Sequence, residues 1–244
     1  MMSPIDRAAH LNRWRHRSLT EKALLTFGML SLAMVSPPCP TAPIVAVVMT
    51  AAALAGARVP VRVWLACALG PAGFLLVGGI SLAVQVDAGG IGLTPMGLTV
   101  AAQRIVRSLA AVACLLFLAL TTPTTDLLAG LRRLGVPAEL VEIALLMYRF
   151  LFLLADVALA MDAAQAARLG HSTRRRRLRS LGRLVANLLP RALDRARRME
   201  TGLAARGWQG EMRVSSLAAS PSLPACVLIL VVELSIATVG VWLA

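Results

Sequence analysis

The feature that most constrains this chain is a set of apolar stretches, each close to the length of a membrane-crossing helix. A helix needs about 20 mostly apolar residues to cross the hydrocarbon core of a bilayer. Residues 23–36 and 43–57 are apolar but short, and the link PPCPTA between them must break any helix, so they form two short spans or a partial hairpin. The clearest candidate spans are residues 63–84, 98–122 and 223–243.

Composition supports a chain whose main solvent is lipid. Hydrophobic residues make up 58% of its 244 residues and charged residues 15%, against about 45–50% and about 25% in average soluble domains. A disordered basic protein is excluded, because it would need low hydrophobicity. We therefore expect an all-α, polytopic membrane protein with about five transmembrane helices and a cytoplasmic insert between the last two.

The placement of cations predicts the orientation. The chain has 25 Lys and Arg against 12 Asp and Glu, a formal charge of +13, and short cytoplasmic loops hold the Lys and Arg excess of a membrane protein. The loop at 56–62 is basic, whereas the loops PPCPTA and QVDAGGIGLTPMG contain no cation. We expect a multi-pass protein of the cell inner (cytoplasmic) membrane with a cytoplasmic N-terminus. The expected regions are a cytoplasmic leader (1–22), transmembrane helices 1–4 (23–122), a cytoplasmic insert (123–213) and a C-terminal transmembrane helix (214–244).

Three ionisable residues fall inside predicted spans, where facing lipid would be costly. Arg104 and Arg107 are three residues apart on one face of the fourth span, and Glu233 lies in the last. They either line a pathway, or they pair with one another or snorkel within the bundle. The second interpretation is the simpler one, and it includes the hypothesis of a buried ion pair between the two spans.

Two long helices are predicted in the insert. Residues 138–169 contain no proline or glycine, and from Leu178 to Arg206 apolar residues recur at three- and four-residue spacing, with a bend expected at Pro190. Between them, Arg174–Arg177 is expected to be a solvated loop near anionic lipid headgroups. Nucleic-acid binding is the rival interpretation of such a run, and it is disfavoured because no aromatic residues interleave the arginines.

The two predicted helices end alike. Residues 166–170 read AARLG and residues 204–207 read AARG, so each helix carries one arginine after small alanines at its C-terminal tip. Such an arginine can hold a carboxylate in an acidic cleft through two hydrogen bonds. The alternative is that each arginine only complements the helix dipole.

The sequence contains no motif typical of a catalytic, metal-binding or nucleotide-binding site. The P-loop GxxxxGK[ST] is absent, so nucleotide hydrolysis is not expected in this chain. The cysteines form no CxxC pair and the three histidines are isolated, so we expect no catalytic residue, no metal site and no cofactor. An integral membrane enzyme acting on lipid headgroups remains the alternative function, although no paired Asp motif or Ser/His/Asp arrangement supports it.

Three segments carry a family resemblance: IDRAAHLNRWRHRSLTEKALL near the start, LTTPTTDLLAGLRRLGVPAELVEIALLMYRF and the sequence that follows it through AARLG, and the second AARG. They resemble the transmembrane T component of energy-coupling-factor importers, within the cobalt transport protein family CbiQ. The resemblance implies a non-catalytic scaffold for cobalt or nickel import. Its implied partners are ABC-type ATPase subunits, a substrate-binding membrane subunit for cobalt or nickel, and membrane lipids.

In that family, paired Ala-Arg motifs at the ends of coupling helices engage the two ATPases. The resemblance therefore makes 123–213 a coupling-helix region and implies ATPase contact by two motifs. The second motif keeps the Ala-Arg-Gly form, and the first departs from it at its third residue. The residues concerned are Ala167, Arg168 and Leu169 in the first motif and Ala205, Arg206 and Gly207 in the second.

Overall fold

The computed structural model describes residues 4–87, 90–93, 95–207 and 221–242. This part of the chain forms nine α-helices and one short β-hairpin, which confirms the predicted predominantly helical fold. The helices are α1 (Pro4–Leu11), α2 (Leu19–Val35), α3 (Pro38–Ala51), α4 (Val61–Ala83), α5 (Pro95–Thr121), α6 (Thr124–Arg133), α7 (Ala138–Ala167), α8 (Arg174–Ala204) and α9 (Leu223–Trp242).

Helices α4, α5 and α9 coincide with the three clearest predicted spans. The question left open for residues 23–57 is resolved as two helices, because the chain breaks at Ser36 and Pro37 between α2 and α3. A single π-helical turn, Ala52–Gly56, continues α3. The antiparallel hairpin of β1 (Val84–Asp87) and β2 (Gly90–Leu93) was not predicted.

Five helical segments of the described chain are long and apolar enough to cross a membrane: α3 with its π-helical turn, α4, α5, α7 and α9. Helix α2 has 17 residues and falls just short of the 18-residue span length. Helix α7, predicted to lie in the cytoplasmic insert, meets the same criteria of length and composition.

The chain divides into two compact units. Of the described residues, those in 4–127 and 221–242 form one, called here the bundle unit, and 128–207 form the other, called here the insert unit. In the bundle unit, α2, α3, α5 and α9 share one apolar core that includes Met29, Met49, Phe117 and Ile236. Trp14 closes this core with an edge-to-face contact to Phe117, with ring centroids 5.5 Å apart.

The basic segments of the bundle unit meet at one end, called here the basic end. The Arg13 N–H donates to the Ala57 carbonyl oxygen at 3.1 Å, which joins the leader to the loop before α4. At the start of α9, the Ser222 N–H donates to Glu21 Oε1 at 2.9 Å. The chain therefore leaves the bundle unit after α5 and returns at α9 on the same end.

Asp126 lies in the first turn of α6 and forms an ion pair with Arg15. One local expectation is corrected. The tract Arg174–Arg177, predicted as a loop, forms the first turn of α8. The Thr173 side chain caps this helix by accepting from the Arg176 N–H at 3.3 Å. The four arginines stay exposed around the helix, so helix formation does not desolvate their charges.

Helix α5 ends against buried donors at the basic end. Its last carbonyl groups have no partner inside the helix, and Pro123 supplies no N–H. The Lys22 ammonium group, only 1% exposed, donates to the Thr121 carbonyl oxygen at 2.9 Å. Asn12 Nδ2 donates to the same oxygen at 3.2 Å. The single lysine of the chain thus holds α2 against the end of α5.

We predict that Lys22→Met lowers the free energy of unfolding by about 1–3 kcal/mol, because it removes a buried donor from the Thr121 carbonyl group. Arg17→Met is the matched control. Arg17 is about half exposed and lies 3.6 Å from Glu21, a contact typically worth about 0–1 kcal/mol. Thermal unfolding of the purified proteins in one detergent measures both changes, and equal shifts in melting temperature would contradict the assignment.

Candidate functional site

The first predicted motif lies at the end of α7, called here the first tip (residues 166–170). Arg168 is the C-terminal cap, and Leu169 adopts the left-handed conformation with φ +58°. The Gly170 N–H donates to the Gln165 carbonyl oxygen at 2.9 Å, and the Leu169 N–H donates to the Ala166 carbonyl oxygen at 3.0 Å. These two bonds make a Schellman motif, which satisfies the last carbonyl groups of a helix.

The second predicted motif lies at the end of α8, called here the second tip (residues 204–207). Ala205 is the cap, and Gly207 adopts the left-handed conformation with φ +69°. The Gly207 N–H donates to the Ala204 carbonyl oxygen at 3.0 Å. A glycine takes this conformation without steric cost.

The two tips place their arginines alike. Arg168 and Arg206 each directly precede the left-handed residue, and both are exposed, as are the alanines before them. In the described chain no ion pair involves either guanidinium group, so both are free to bind an external carboxylate. Leu169 departs from the motif in side chain but matches Gly207 in backbone conformation.

Leu169 is unusual in both conformation and exposure. The left-handed conformation costs a residue with a Cβ roughly 1–2 kcal/mol. Its side chain is nevertheless 69% exposed and lies beside Arg168. Local folding would favour glycine at this position, so the leucine suggests a requirement for an apolar side chain at the tip.

Arg206 also lines a cleft of about 300 Å³ within the insert unit, between α7 and α8. The other basic residues of this cleft are Arg149, Arg195 and Arg198. Sequence reasoning missed this cluster as a site, although the spacing of residues 195, 198, 202 and 206 places them on one face of a helix. Four arginines around one cleft make a surface suited to an acidic partner.

The three ionisable residues predicted inside spans are not joined. Arg107 Nη2 donates to the Ser36 carbonyl oxygen at 2.5 Å, and Arg104 is exposed. Glu233 Oε1 is buried and, among the described residues, has no hydrogen-bond partner. Arg107 binds the end of α2 instead of Glu233. The last carbonyl groups of α2 lack helical partners and carry negative partial charge, so they attract the guanidinium group.

Among the described residues, no group of three or more His, Cys, Asp or Glu side chains could hold a metal ion. The four cysteines are free thiols. The features that stand out chemically are therefore the two arginine tips and the basic cleft beside the second.

Comparison with known families places these features in context. The family model for the cobalt transport protein CbiQ matches residues 11–216. The chain belongs to the CbiQ family. The match covers most of the leader, both long helices of the insert unit and both tips. It accounts for the resemblance seen in the sequence.

Two relatives named as cobalt transport proteins match most of this chain, and a third matches about half of it. The cobalt transport protein CbiQ of Rhodobacter capsulatus is 55% identical over 242 residues, with 99% of each chain covered. That of Salmonella typhimurium is 32% identical over 226 residues, covering 87% of this chain and all of the relative. A third relative, in Methanocorpusculum labreanum, is named a putative fused cobalt transport protein CbiMQ. It is 31% identical over 120 residues, covering 49% of this chain and 20% of its own length.

We predict that the two tips respond oppositely to exchange of their left-handed residues. Leu169→Gly removes a conformational cost of about 1–2 kcal/mol, and Gly207→Ala introduces a similar cost. Hydrogen exchange of the full chain in detergent should therefore slow in the last turn of α7 in the first variant and accelerate in the last turn of α8 in the second. Faster exchange in Leu169→Gly would show that the leucine side chain stabilises its own tip.

Proposed function

We propose that this CbiQ-family chain is the transmembrane T component of an energy-coupling-factor importer for cobalt or nickel ions. The observation that carries the proposal is the matched pair of tips, each an exposed arginine before a left-handed residue at the end of a long helix. Two like contact points suit a pair of like partners. ABC-type ATPases act as such pairs, and this chain would couple them to a substrate-binding membrane subunit without catalysing a reaction itself.

Topology favours placing the insert in the cytoplasm. The chain leaves the bundle unit after α5 and returns at α9 on the basic end. Helix α7 could therefore cross the membrane only if another segment crossed back. Helix α6 has ten residues and is too short, and α8 carries arginines along most of its length. The proposed arrangement keeps α7 out of the transmembrane path despite its apolar composition.

The positive-inside rule then assigns the sides of the cell inner membrane. The leader with its four arginines and Lys22, the loop with Arg58, and the starts of α6 and α9 lie at the basic end. This end is assigned to the cytoplasm, where ATP is available. The β1–β2 hairpin would then face the other side.

In the proposed coupling step, each tip inserts its arginine into a groove on an ATPase subunit. An exposed guanidinium group can enter an acidic groove and hold a carboxylate by two hydrogen bonds. Leu169 would add an apolar contact at the first tip, and the basic cleft would add long-range attraction at the second. Helices α7 and α8 have 30 and 31 residues, which corresponds to about 45 Å each. Movement at the ATPases would thus be transmitted along α7 and α8, and the complex would alternate between two global arrangements.

The partner subunits are proposed on two grounds. The family membership supports a membrane component of cobalt transport. The Methanocorpusculum relative is named a fused CbiMQ protein, which supports association with a second membrane component. Membrane lipids would contact the spans and the exposed arginines of α8.

We predict that Arg168→Glu and Arg206→Glu each weaken ATPase binding by about tenfold or more, since breaking a desolvated charge pair costs about 2–5 kcal/mol. The double variant should bind less than either single variant. Co-purification of the ATPases from membranes that contain all subunits measures the effect. The control is Arg175→Glu with Arg197→Glu, which makes the same charge change at exposed helix positions outside the tips and the cleft. ATPase recovery from the tip double variant at the control level would contradict the assignment.

We also predict the sidedness of three single cysteines in a background without the native ones. In right-side-out vesicles, Met96→Cys should react with a membrane-impermeant maleimide, because Met96 is exposed at the start of α5, away from the basic end. Arg62→Cys and Arg175→Cys should react only after permeabilisation. Reaction of Arg175→Cys in sealed vesicles would show that the insert crosses the membrane.

A further inference from the structure

A groove in the bundle unit runs between α2 and α9. Its volume is about 430 Å³, and it extends from Gly28 to Ser36 along α2 and from Leu230 to Ala237 along α9. On α2 this is about 12 Å, or two helical turns. The rim is apolar and open, with Val35 86%, Leu230 52% and Leu234 66% exposed. The groove therefore faces outward from the bundle core.

One carboxyl group lies inside this apolar groove. Glu233 is midway along α9 and is the one ionisable side chain among the residues that line the groove. Its Oε1 atom is buried and accepts no hydrogen bond from the described residues. One oxygen of the carboxyl group is thus buried without the hydrogen-bond donor that a buried carboxyl oxygen requires.

Glycine at position 28 makes room for this carboxyl group. A Cβ atom on Gly28 would lie only 2.1 Å from Glu233 Oε1 and 2.3 Å from Cδ. Without a side chain at Gly28, Glu233 folds against the backbone of α2 rather than extending into lipid. The position of the carboxyl group is therefore determined by both α2 and α9.

The donor does not come from the nearby arginine. Arg107 donates to the Ser36 carbonyl oxygen at the end of the groove, and no ion pair with Glu233 is formed within the described chain. A group that fills the groove from outside would supply the missing donor. An apolar helix that carries one cationic side chain would match this groove.

We propose that this groove binds a transmembrane helix of the substrate-binding membrane subunit, and that a basic side chain on that helix pairs with Glu233. The inference rests on the proposed function. Charge complementarity selects the occupant, because a lone carboxylate in an apolar, membrane-embedded groove is matched by a lone cation on an apolar helix. The small side chains of Ser31 and Ala237 allow close approach of such a helix. This contact would attach the substrate-binding subunit to the bundle unit rather than to the arginine tips.

The first experiment tests occupancy of the groove. Ser31→Phe would fill it, and Ser235→Phe is the matched control, because both serines are exposed and hydrogen-bond only to carbonyl groups of their own helices. In the co-expressed complex purified through the ATPases, Ser31→Phe should lower the amount of substrate-binding subunit by about tenfold, whereas Ser235→Phe should retain it. Equal retention by both variants would overturn the proposal.

The second experiment tests the charge and the neighbour. Glu233→Gln should reduce the substrate-binding subunit as Ser31→Phe does, and Glu233→Asp should restore part of it. A photoreactive residue at Leu234 should cross-link to that subunit, and one at Leu228, 64% exposed on the same helix but outside the groove, should not. Cross-links from Leu234 only to lipid or to a second copy of this chain would overturn the proposal. So would rescue of Glu233→Ala by Arg107→Ala, which would assign Glu233 to an internal pair.

The ATPases separate this inference from the proposed function. Every groove variant should retain the ATPases at wild-type levels, because the tips are unchanged. If the ATPases fail to co-purify with the unaltered chain, the proposed function is wrong. If they and the substrate-binding subunit co-purify regardless of Ser31 and Glu233, the function stands and the groove assignment is wrong.

Discussion

The bundle unit depends on the hydrogen bond from the buried Lys22 ammonium group to the Thr121 carbonyl oxygen, which joins α2 to the end of α5. The leader and the start of α6 meet at the same place, where Arg15 and Asp126 form an ion pair. The adjacent Glu21 binds Ser222 at the start of α9. The chain therefore leaves the bundle unit and re-enters it through one junction.

This junction explains how a chain with 58% hydrophobic residues can carry a formal charge of +13. The apolar side chains form the core shared by α2, α3, α5 and α9 and the outward faces of the spans. The cations gather at the basic end and along α8. Most of them need only solvent or lipid headgroups as partners. Arg168 and Arg206 differ because each stands at a helix end that the backbone fixes through a left-handed residue.

The parts of the fold that depend on local sequence could be predicted. The spans α4, α5 and α9 follow from the length of their apolar runs, and the tip arginines from their place at the end of helical patterns. Leu169 carries no such signal, since a leucine gives no indication of positive φ. The cap from Thr173 that turns the arginine tract into helix was overlooked. Arg107 could not be assigned, because its choice of Ser36 over Glu233 depends on how α2, α5 and α9 pack.

We propose that two matched arginine tips connect this CbiQ-family chain to two ATPase subunits. A cryo-electron microscopy structure of the assembled complex would show these contacts. We expect the guanidinium groups of Arg168 and Arg206 each to lie within hydrogen-bonding distance of a carboxylate on a different ATPase subunit. Either arginine facing lipid or solvent in that complex, with the ATPases bound elsewhere on the chain, would contradict it.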